Sequence, residues 1–152
     1  MKVHLQQIPT EGMRFEGRAP NSMLDLHEAD IVPVSPVEFE LDVGLSDGGL
    51  FATGQVGVDV DLKCVSCLER FTYPVRIDDF ACQIELLGSE TIDLTEPVRE
   101  DILLALPPHP HCDWSGERVC PGVQNEAAPL SDHDSSGVPP NVWGALDQLK
   151  LK

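Results

Sequence analysis

Residues 37–64 read VEFELDVGLSDGGLFATGQVGVDVDLKC, and this stretch decides the fold. Its first part alternates Val37, Phe39, Leu41, Val43 and Leu45 with Glu38, Glu40, Asp42 and Gly44. An apolar residue at every second position is the pattern of a strand with one buried side and one solvent-facing side. Ser46-Asp47-Gly48-Gly49 predicts a turn, because glycine tolerates positive φ. Apolar residues return at alternate positions from 56 to 64, so the stretch predicts a β-hairpin.

Two further alternating runs follow the hairpin. Phe71, Tyr73, Val75 and Ile77 form the first run, and Phe80, Cys82, Ile84 and Leu86 form the second. The parity changes across Asp78-Asp79, which a tight turn or a β-bulge can absorb. Pro74 removes one donor from the hydrogen-bond ladder and therefore favours an edge strand or a local bulge. We predict four strands between residues 37 and 86.

A short amphipathic helix is predicted after these strands. Thr95 can cap its first turn, which Glu96 and Pro97 also suit. Its apolar side consists of Val98, Ile102, Ala105 and Leu106. Pro107-Pro108 then ends the helix. We expect this helix to cover the sheet.

The whole pattern predicts an α+β fold. We expect an antiparallel β-sheet or partly open barrel of about four to six strands, covered by one short helix. In residues 1–34 we predict one edge strand at the start and irregular structure elsewhere. The main β-rich domain is predicted at residues 1–106, followed by a proline-rich, cysteine-containing loop or linker at residues 107–140. A short C-terminal helix is predicted at residues 141–152, with Val142, Leu146 and Leu149 on one side.

The chain is strongly acidic. It has 10 Lys and Arg against 26 Asp and Glu, a formal net charge of −16, and no Lys or Arg lies between Arg18 and Lys63. Five acids of that stretch are predicted on the outer faces of the hairpin strands: Glu38, Glu40, Asp42, Asp59 and Asp61. Because nucleic acid is bound through Lys and Arg, such a surface repels bare RNA and attracts a basic protein. Surplus acid also serves solubility alone, so both interpretations stand.

The sequence favours a cytoplasmic protein without a membrane partner. No apolar run approaches the roughly 20 residues of a membrane span, and residues 1–12 lack the pattern of a signal peptide. Five cysteines, an odd number, fit free thiols or a metal site better than a disulfide framework.

Cys64-Val65-Ser66-Cys67 is a CxxC at the end of the second hairpin strand. Two thiolates at this spacing can share one tetrahedral metal ion. Two more ligands are needed, and Cys112 and Cys120 are the first candidates, with His109 and His111 as substitutes. The predicted cofactor is one structural Zn²⁺, and the alternative is a pair of reduced structural thiols in a turn.

Catalysis has little support in the residue pattern. A redox CxxC is expected at the start of a helix, where the dipole lowers a thiol pKa, whereas this one lies between strands. Cys82 falls on the apolar side of its strand and is predicted to fill the core. No motif for a nucleophile, a phosphate loop or a dinucleotide site is present, so we expect no enzyme and no small-molecule substrate.

Two motifs in order resemble the YceD family, the large ribosomal RNA subunit accumulation proteins. They are Cys64-Val65-Ser66-Cys67-Leu68-Glu69 after a strand, and the stretch from Ile92-Asp93-Leu94 to Glu100-Asp101-Ile102-Leu103-Leu104-Ala105-Leu106-Pro107. The C-terminal residues 143–151 also resemble the short leucine- and lysine-containing tail of that family. Many members carry C-x-G-L-C-P-x-C-G after the second motif. Here Cys112 to Gly122 keeps Cys120-Pro121 and lacks the last cysteine, so no second CxxC is present.

The resemblance implies a non-catalytic ribosome biogenesis factor that supports large-subunit assembly and 23S rRNA accumulation. Combined with the charge, it predicts binding of a basic ribosomal protein or a precursor large-subunit particle through the five acids. One alternative is direct binding of precursor rRNA by basic points at Lys63, Arg70, Arg76 and Arg99. Another is a CxxC thiol or redox protein built on Cys64 and Cys67.

Overall fold

The computed structural model describes residues 1–46, 48–86, 88 and 90–122. These residues contain seven strands and one α-helix. The strands are β1 (Lys2–His4), β2 (Met13–Ala19), β3 (Ile31–Pro33), β4 (Val37–Ser46), β5 (Gly49–Lys63), β6 (Arg70–Glu85) and β7 (Thr91–Asp93). The helix α1 is Thr95–Leu104, and two 3₁₀ turns lie at Leu5–Gln7 and Asn21–Leu24. The predicted fold class, antiparallel sheet with one covering helix, is confirmed, and the larger sheet remains open.

β5 is the centre of a five-stranded antiparallel sheet. β4 pairs with residues 49–57 of β5, and β3 pairs with residues 60–62. β6 pairs with β5 along its whole length and therefore lies on the opposite edge, while β2 extends the sheet beyond β4. A separate two-stranded sheet joins β1 to β7. The predicted hairpin is the β4–β5 pair, but its return strand begins at Gly49 and not at residue 56 as the alternation predicted.

The parity change at Asp78-Asp79 is a β-bulge inside one strand. Gly54 of β5 pairs with Phe80, and Val56 pairs with Ile77, so Gln55 faces two residues of β6. The predicted bulge is confirmed. The prediction of two separate strands in residues 71–86 is wrong, because the bulge resets the alternation without a turn.

The prediction of irregular structure after the first N-terminal strand is also wrong. β2 occupies Met13–Ala19 and pairs with β4 in continuous register, and β3 follows at Ile31–Pro33. Charged residues dominate one side of β2, and its apolar side contains only Met13 and Phe15 as large residues. Such a strand depends on a neighbour for its burial, which local alternation does not reveal.

Helix α1 covers the apolar side of the sheet. Leu94, Val98 and Ile102 are fully buried in the core with the inward residues of β4, β5 and β6. Ala105, predicted on the apolar side, lies beyond the helix and is exposed. Thr95 is not the cap: the cap residue is Leu94, and the Asp93 carboxylate accepts the Thr95 backbone N–H at 2.9 Å.

Asp93 also binds the amine of Met1, at 2.9 Å. Its hydrogen bond from the Thr95 hydroxyl, followed by that from the Met1 amine, lowers the Asp93 pKa from 3.8 to about 2. Asp93→Asn is therefore expected to lower the unfolding free energy by about 1 kcal/mol at neutral pH, because the neutral amide loses the ion pair with the Met1 amine and the charge-assisted hydrogen bonds.

The effect of Asp93→Asn should depend on pH. Because the folded pKa lies below the unfolded value, the ionised carboxylate stabilises the fold above pH 4, and this contribution is lost as the pH falls towards 2. Urea unfolding at neutral and acid pH measures it. A difference between wild type and variant that is equal at both pH values would contradict this role.

Two predictions concern features outside these elements. The C-terminal helix predicted at residues 141–152 lies outside the described residues. Among the described helices, none is long and apolar enough to cross a membrane.

Candidate metal centre and charged sheet face

Four cysteines meet where β5 ends and β6 begins. Cys64 and Cys67 belong to the turn between these strands, whose backbone is held by the Cys64 N–H to Glu69 O bond (2.9 Å) and the Leu68 N–H to Cys64 O bond (3.0 Å). Cys112 and Cys120 come from the loop that follows α1. The Val65 N–H donates to Pro110 O at 2.9 Å and attaches that loop to the turn.

The sulfur positions fit a tetrahedral metal ion. All four Sγ atoms lie within 4.8 Å of one another. The Cys64 and Cys120 sulfurs are 3.8 Å apart, and those of Cys67 and Cys112 are 3.6 Å apart. A tetrahedron with Zn–S bonds of ~2.3 Å has edges of about 3.8 Å, whereas a disulfide needs ~2.05 Å. The four cysteines are thus close enough to bind one metal ion.

The cluster uses cysteines alone. His111, a predicted substitute ligand, is exposed, and its Nδ1 lies 3.2 Å from the Ser66 hydroxyl. His109 is also exposed and is not among the clustered residues. Cys82 lies on β6 away from the cluster, partly buried against the core as predicted, and burial raises its pKa.

The protein environment stabilises one thiolate of the cluster more than the others. The backbone N–H of Cys67 lowers the pKa of Cys64 to about 6. Burial raises the pKa of Cys112 to about 12. The backbone N–H of Gly122 lowers the pKa of Cys120. Burial and the sulfurs of Cys64 and Cys67 raise it by more, so the pKa of Cys120 ends above its usual value. A bound dication would compensate the repulsion among four thiolates and allow all of them to form.

Metal binding at pH 7 is therefore expected to release at least two protons, one each from Cys112 and Cys120. Cys64, with its lowered pKa, contributes less than a full proton. Titration calorimetry in buffers of different ionisation enthalpy counts the protons. Release of fewer than one would mean that the cluster does not bind metal through these thiolates.

All five predicted partner-binding acids lie on the polar side of the sheet. The β4 acids are Glu38, Glu40 and Asp42, and they pair with every second residue of β5 from Thr53 to Gly57. The next residues on the same side of β5 are Asp59 and Asp61. β2 and β6 add arginines and one more acid to this side. We call this the charged sheet face: Arg14, Glu16, Arg18, Glu38, Glu40, Asp42, Asp59, Asp61 and Arg76.

Cross-strand pairing neutralises part of this face. Arg14 pairs with Glu40 and lies 3.6 Å from Glu16, Arg18 lies 2.9 Å from Glu38, and Arg76 lies 2.7 Å from Asp59. The Thr72 hydroxyl donates to Asp61 at 2.7 Å. Within the described part of the chain, the Asp42 carboxylate has no hydrogen-bond or ion-pair partner. Exposed pairs of this kind add little stability. Because six acids share the face with three arginines, the face keeps an excess of negative charge.

A groove crosses the charged sheet face. Its volume is about 570 Å³, and Glu16, Arg18, Glu38, Asp59 and Arg76 are among the residues that line it. Gly57 forms part of the floor, where the side chain of Arg76 lies 3.1 Å from the position that a Cβ would take. The Arg76 guanidinium also donates to the carbonyls of Val58 and Val75, which fixes it in the groove.

The four predicted basic points do not form a free patch. Lys63 lies 3.5 Å from Asp30, Arg70 donates to Ala29 O, and Arg76 is bound as described. Arg99 lies on α1, which covers the opposite side of the sheet, and donates to Leu24 O at 2.8 Å. Each cation already has an acceptor within the chain.

Sequence reasoning missed the arginines of β2. Arg14, Glu16 and Arg18 alternate with Phe15 and Gly17, and this period of two was a sign that could have placed them on a strand. Their pairing with the β4 acids also needed the register, which the sequence does not display.

Comparison with known proteins finds similar sequences, and none of them has an assigned activity. No family model matches the chain, and no solved structure matches it. Similar proteins are uncharacterised proteins of Mycobacterium bovis and of two Mycobacterium tuberculosis strains, CDC 1551 and H37Rv. Each is 24% identical over 173 residues, covering 96% of this chain and 83% of the relative. Their names state no ligand, partner or reaction.

Proposed function

We propose that Cys64, Cys67, Cys112 and Cys120 hold one structural Zn²⁺. The observation that carries this is the spacing of the sulfurs, which is 3.6 and 3.8 Å in two pairs and within 4.8 Å for all four. Four protein ligands leave no open position for a substrate, which favours a structural role over a catalytic one. The ion would fasten the loop of residues 107–122 to the end of the sheet.

We further propose a non-catalytic role in large-subunit assembly and 23S rRNA accumulation, through binding of a basic ribosomal protein. The ribosomal assignment rests on the motif resemblance, and the mode of binding rests on the charged sheet face. This face is solvent-exposed, concave at its groove and richer in acids than in arginines. A Lys- or Arg-rich segment complements it, and such contacts mainly increase association rates at low salt.

Direct RNA binding and thiol chemistry have weaker support. The four basic points are engaged within the chain, which leaves little positive charge for phosphates. The CxxC lies in a turn between two strands, and Cys64 and Cys112 are buried. Reactive cysteines are usually accessible to their substrates, so this environment favours metal binding.

Affinity purification of the native full chain at low and high salt tests the assembly role. We expect ribosomal proteins or precursor particles to co-purify at about 50 mM salt and to dissociate near 500 mM, because exposed charges are screened. Asp42→Lys should weaken the association about fivefold at low salt. The Asp42 carboxylate has no hydrogen-bond or ion-pair partner within the described residues, so this variant should keep its fold.

Glu100→Lys is the matched control. Glu100 is exposed on α1, across the sheet from the charged sheet face. Association that ignores ionic strength, or that both variants weaken equally, would contradict binding through this face. Loss of the partner after ribonuclease treatment would instead indicate contact with RNA.

A further inference from the structure

Four exposed apolar side chains surround the cysteine cluster. Val65, Leu68, Trp114 and Val119 are 48%, 64%, 47% and 89% exposed. Each lies within two residues of a different cluster cysteine, and the cluster sulfurs lie within 4.8 Å of one another. The four side chains therefore share one end of the molecule, and we call them the apolar rim. Apolar residues grouped in this way on a surface mark an interaction site.

Leu68 shows that this exposure has a cost. Its φ is +62°, a backbone conformation that glycine adopts freely and that costs a leucine about 1 kcal/mol. The turn at the CxxC imposes this conformation through the Leu68 N–H to Cys64 O bond. Because the side chain is 64% exposed, it returns little to the fold. A leucine that is held at positive φ and contributes little to the fold is a candidate for a contact outside the described residues.

We propose that the apolar rim is the docking site for residues 141–150 of this same chain. The described part of the chain ends at Gly122, three residues after Val119, so the remaining segment starts beside the rim. Val142, Leu146 and Leu149 recur at i, i+4 and i+7, the spacing of one apolar side of a helix. Residues 123–140 can span up to about 60 Å, which more than covers the distance back to the rim.

Charge complements the rim only at the C-terminal end of this occupant, because Asp147 offsets Lys150 within residues 141–150. Asp113 and Glu117 lie beside the rim and are exposed, with no ion pair among the described residues. Lys150 and Lys152 follow the apolar positions of the tail. Tethering makes the contact intramolecular, with an effective concentration in the millimolar range, so a weak apolar contact is enough to keep the segment bound.

Amide hydrogen exchange of the full chain, followed by mass spectrometry, tests the proposal. In the wild type we expect residues 141–150 to exchange about tenfold more slowly than an unstructured peptide, since docking protects their amides. Leu68→Gly should remove this protection. The same variant should keep its zinc and its thermal stability, because glycine relieves the positive φ. A merely structural Leu68 would show the opposite, a loss of stability.

Two further variants complete the design. Leu146→Ser should also remove the protection, and it changes no residue of the described fold. Leu104→Ala is the control, because Leu104 is an exposed leucine at the end of α1 and is not part of the apolar rim, and this variant should leave the exchange unchanged. Absence of protection in the wild type, or protection that survives both Leu68→Gly and Leu146→Ser, would overturn the proposal. Protection that grows with protein concentration would also overturn it, by indicating a second copy as the occupant.

Discussion

Cys112→Ser is expected to abolish zinc binding and to lower the unfolding free energy by about 4 kcal/mol, in the range seen when a structural metal is lost. Cys112 is buried, and its sulfur lies 3.6 Å from that of Cys67. Without this sulfur, the loop that carries Cys112 and Cys120 is held to the β5–β6 turn only by contacts such as the Val65 N–H to Pro110 O hydrogen bond. The sheet itself should stay folded, because its core lies elsewhere. Metal analysis and denaturant unfolding of protein purified without chelator measure both effects.

Cys82→Ser is the matched control for this prediction. Cys82 is partly buried on β6 and is absent from the cluster, so the variant should retain one zinc per chain and lose only about 1 kcal/mol. Equal metal content in the two variants would refute the four-cysteine site. A Cys112→Ser protein with unchanged stability and no metal in the wild type would favour a pair of reduced thiols instead.

Gly54→Ala is expected to destabilise the protein by about 3 kcal/mol or more, enough to unfold a marginally stable domain. Gly54 has a φ of +151°, which side-chain-bearing residues rarely adopt. A Cβ at this position would lie 2.1 Å from the backbone oxygen of Glu40 and 2.9 Å from the Cα of Leu41. Both atoms belong to β4, so the added methyl group would force the two central strands apart. Thermal or urea unfolding measures the loss.

Gly48→Ala separates the two causes of that loss. Gly48 also has positive φ, +88°, but nothing lies within 4 Å of the position of its Cβ. This variant should cost only about 1 kcal/mol, from the backbone conformation alone. If Gly54→Ala were no worse than Gly48→Ala, the close approach of β4 and β5 at Gly54 would be refuted.

Much of the fold could be predicted because its signals are local. Alternation identified β4, the second half of β5 and the two halves of β6, and the parity change at Asp78-Asp79 located the bulge. Helix α1 could be predicted from its apolar spacing. β2 was missed although its residues alternate, because its apolar side has only Met13 and Phe15 as large residues and is buried by contact with the rest of the fold.

The candidate site shows the same division. The sequence singled out the CxxC and ranked Cys112 and Cys120 above the two histidines. Only the path of the loop after α1 shows that these four sulfurs meet and that the histidines stay outside the cluster. The five acids were correctly assigned to the polar side of β4 and β5. Their pairing with Arg14, Arg18 and Arg76 was hidden, because it depends on which strands are neighbours and in what register.

The sequence by itself determined the period-two hairpin, the covering helix, the acidity and the set of cysteines, since each depends on residue type and short-range spacing. Tertiary structure alone decided that four sulfurs converge, that the acidic side carries paired arginines, and that Leu68 is held exposed at positive φ. The physical reason for the first two is that they are relations between residues up to 56 positions apart, as for Cys64 and Cys120, and only packing brings such residues together. The conformation of Leu68 is set by the turn that carries Cys64 and Cys67.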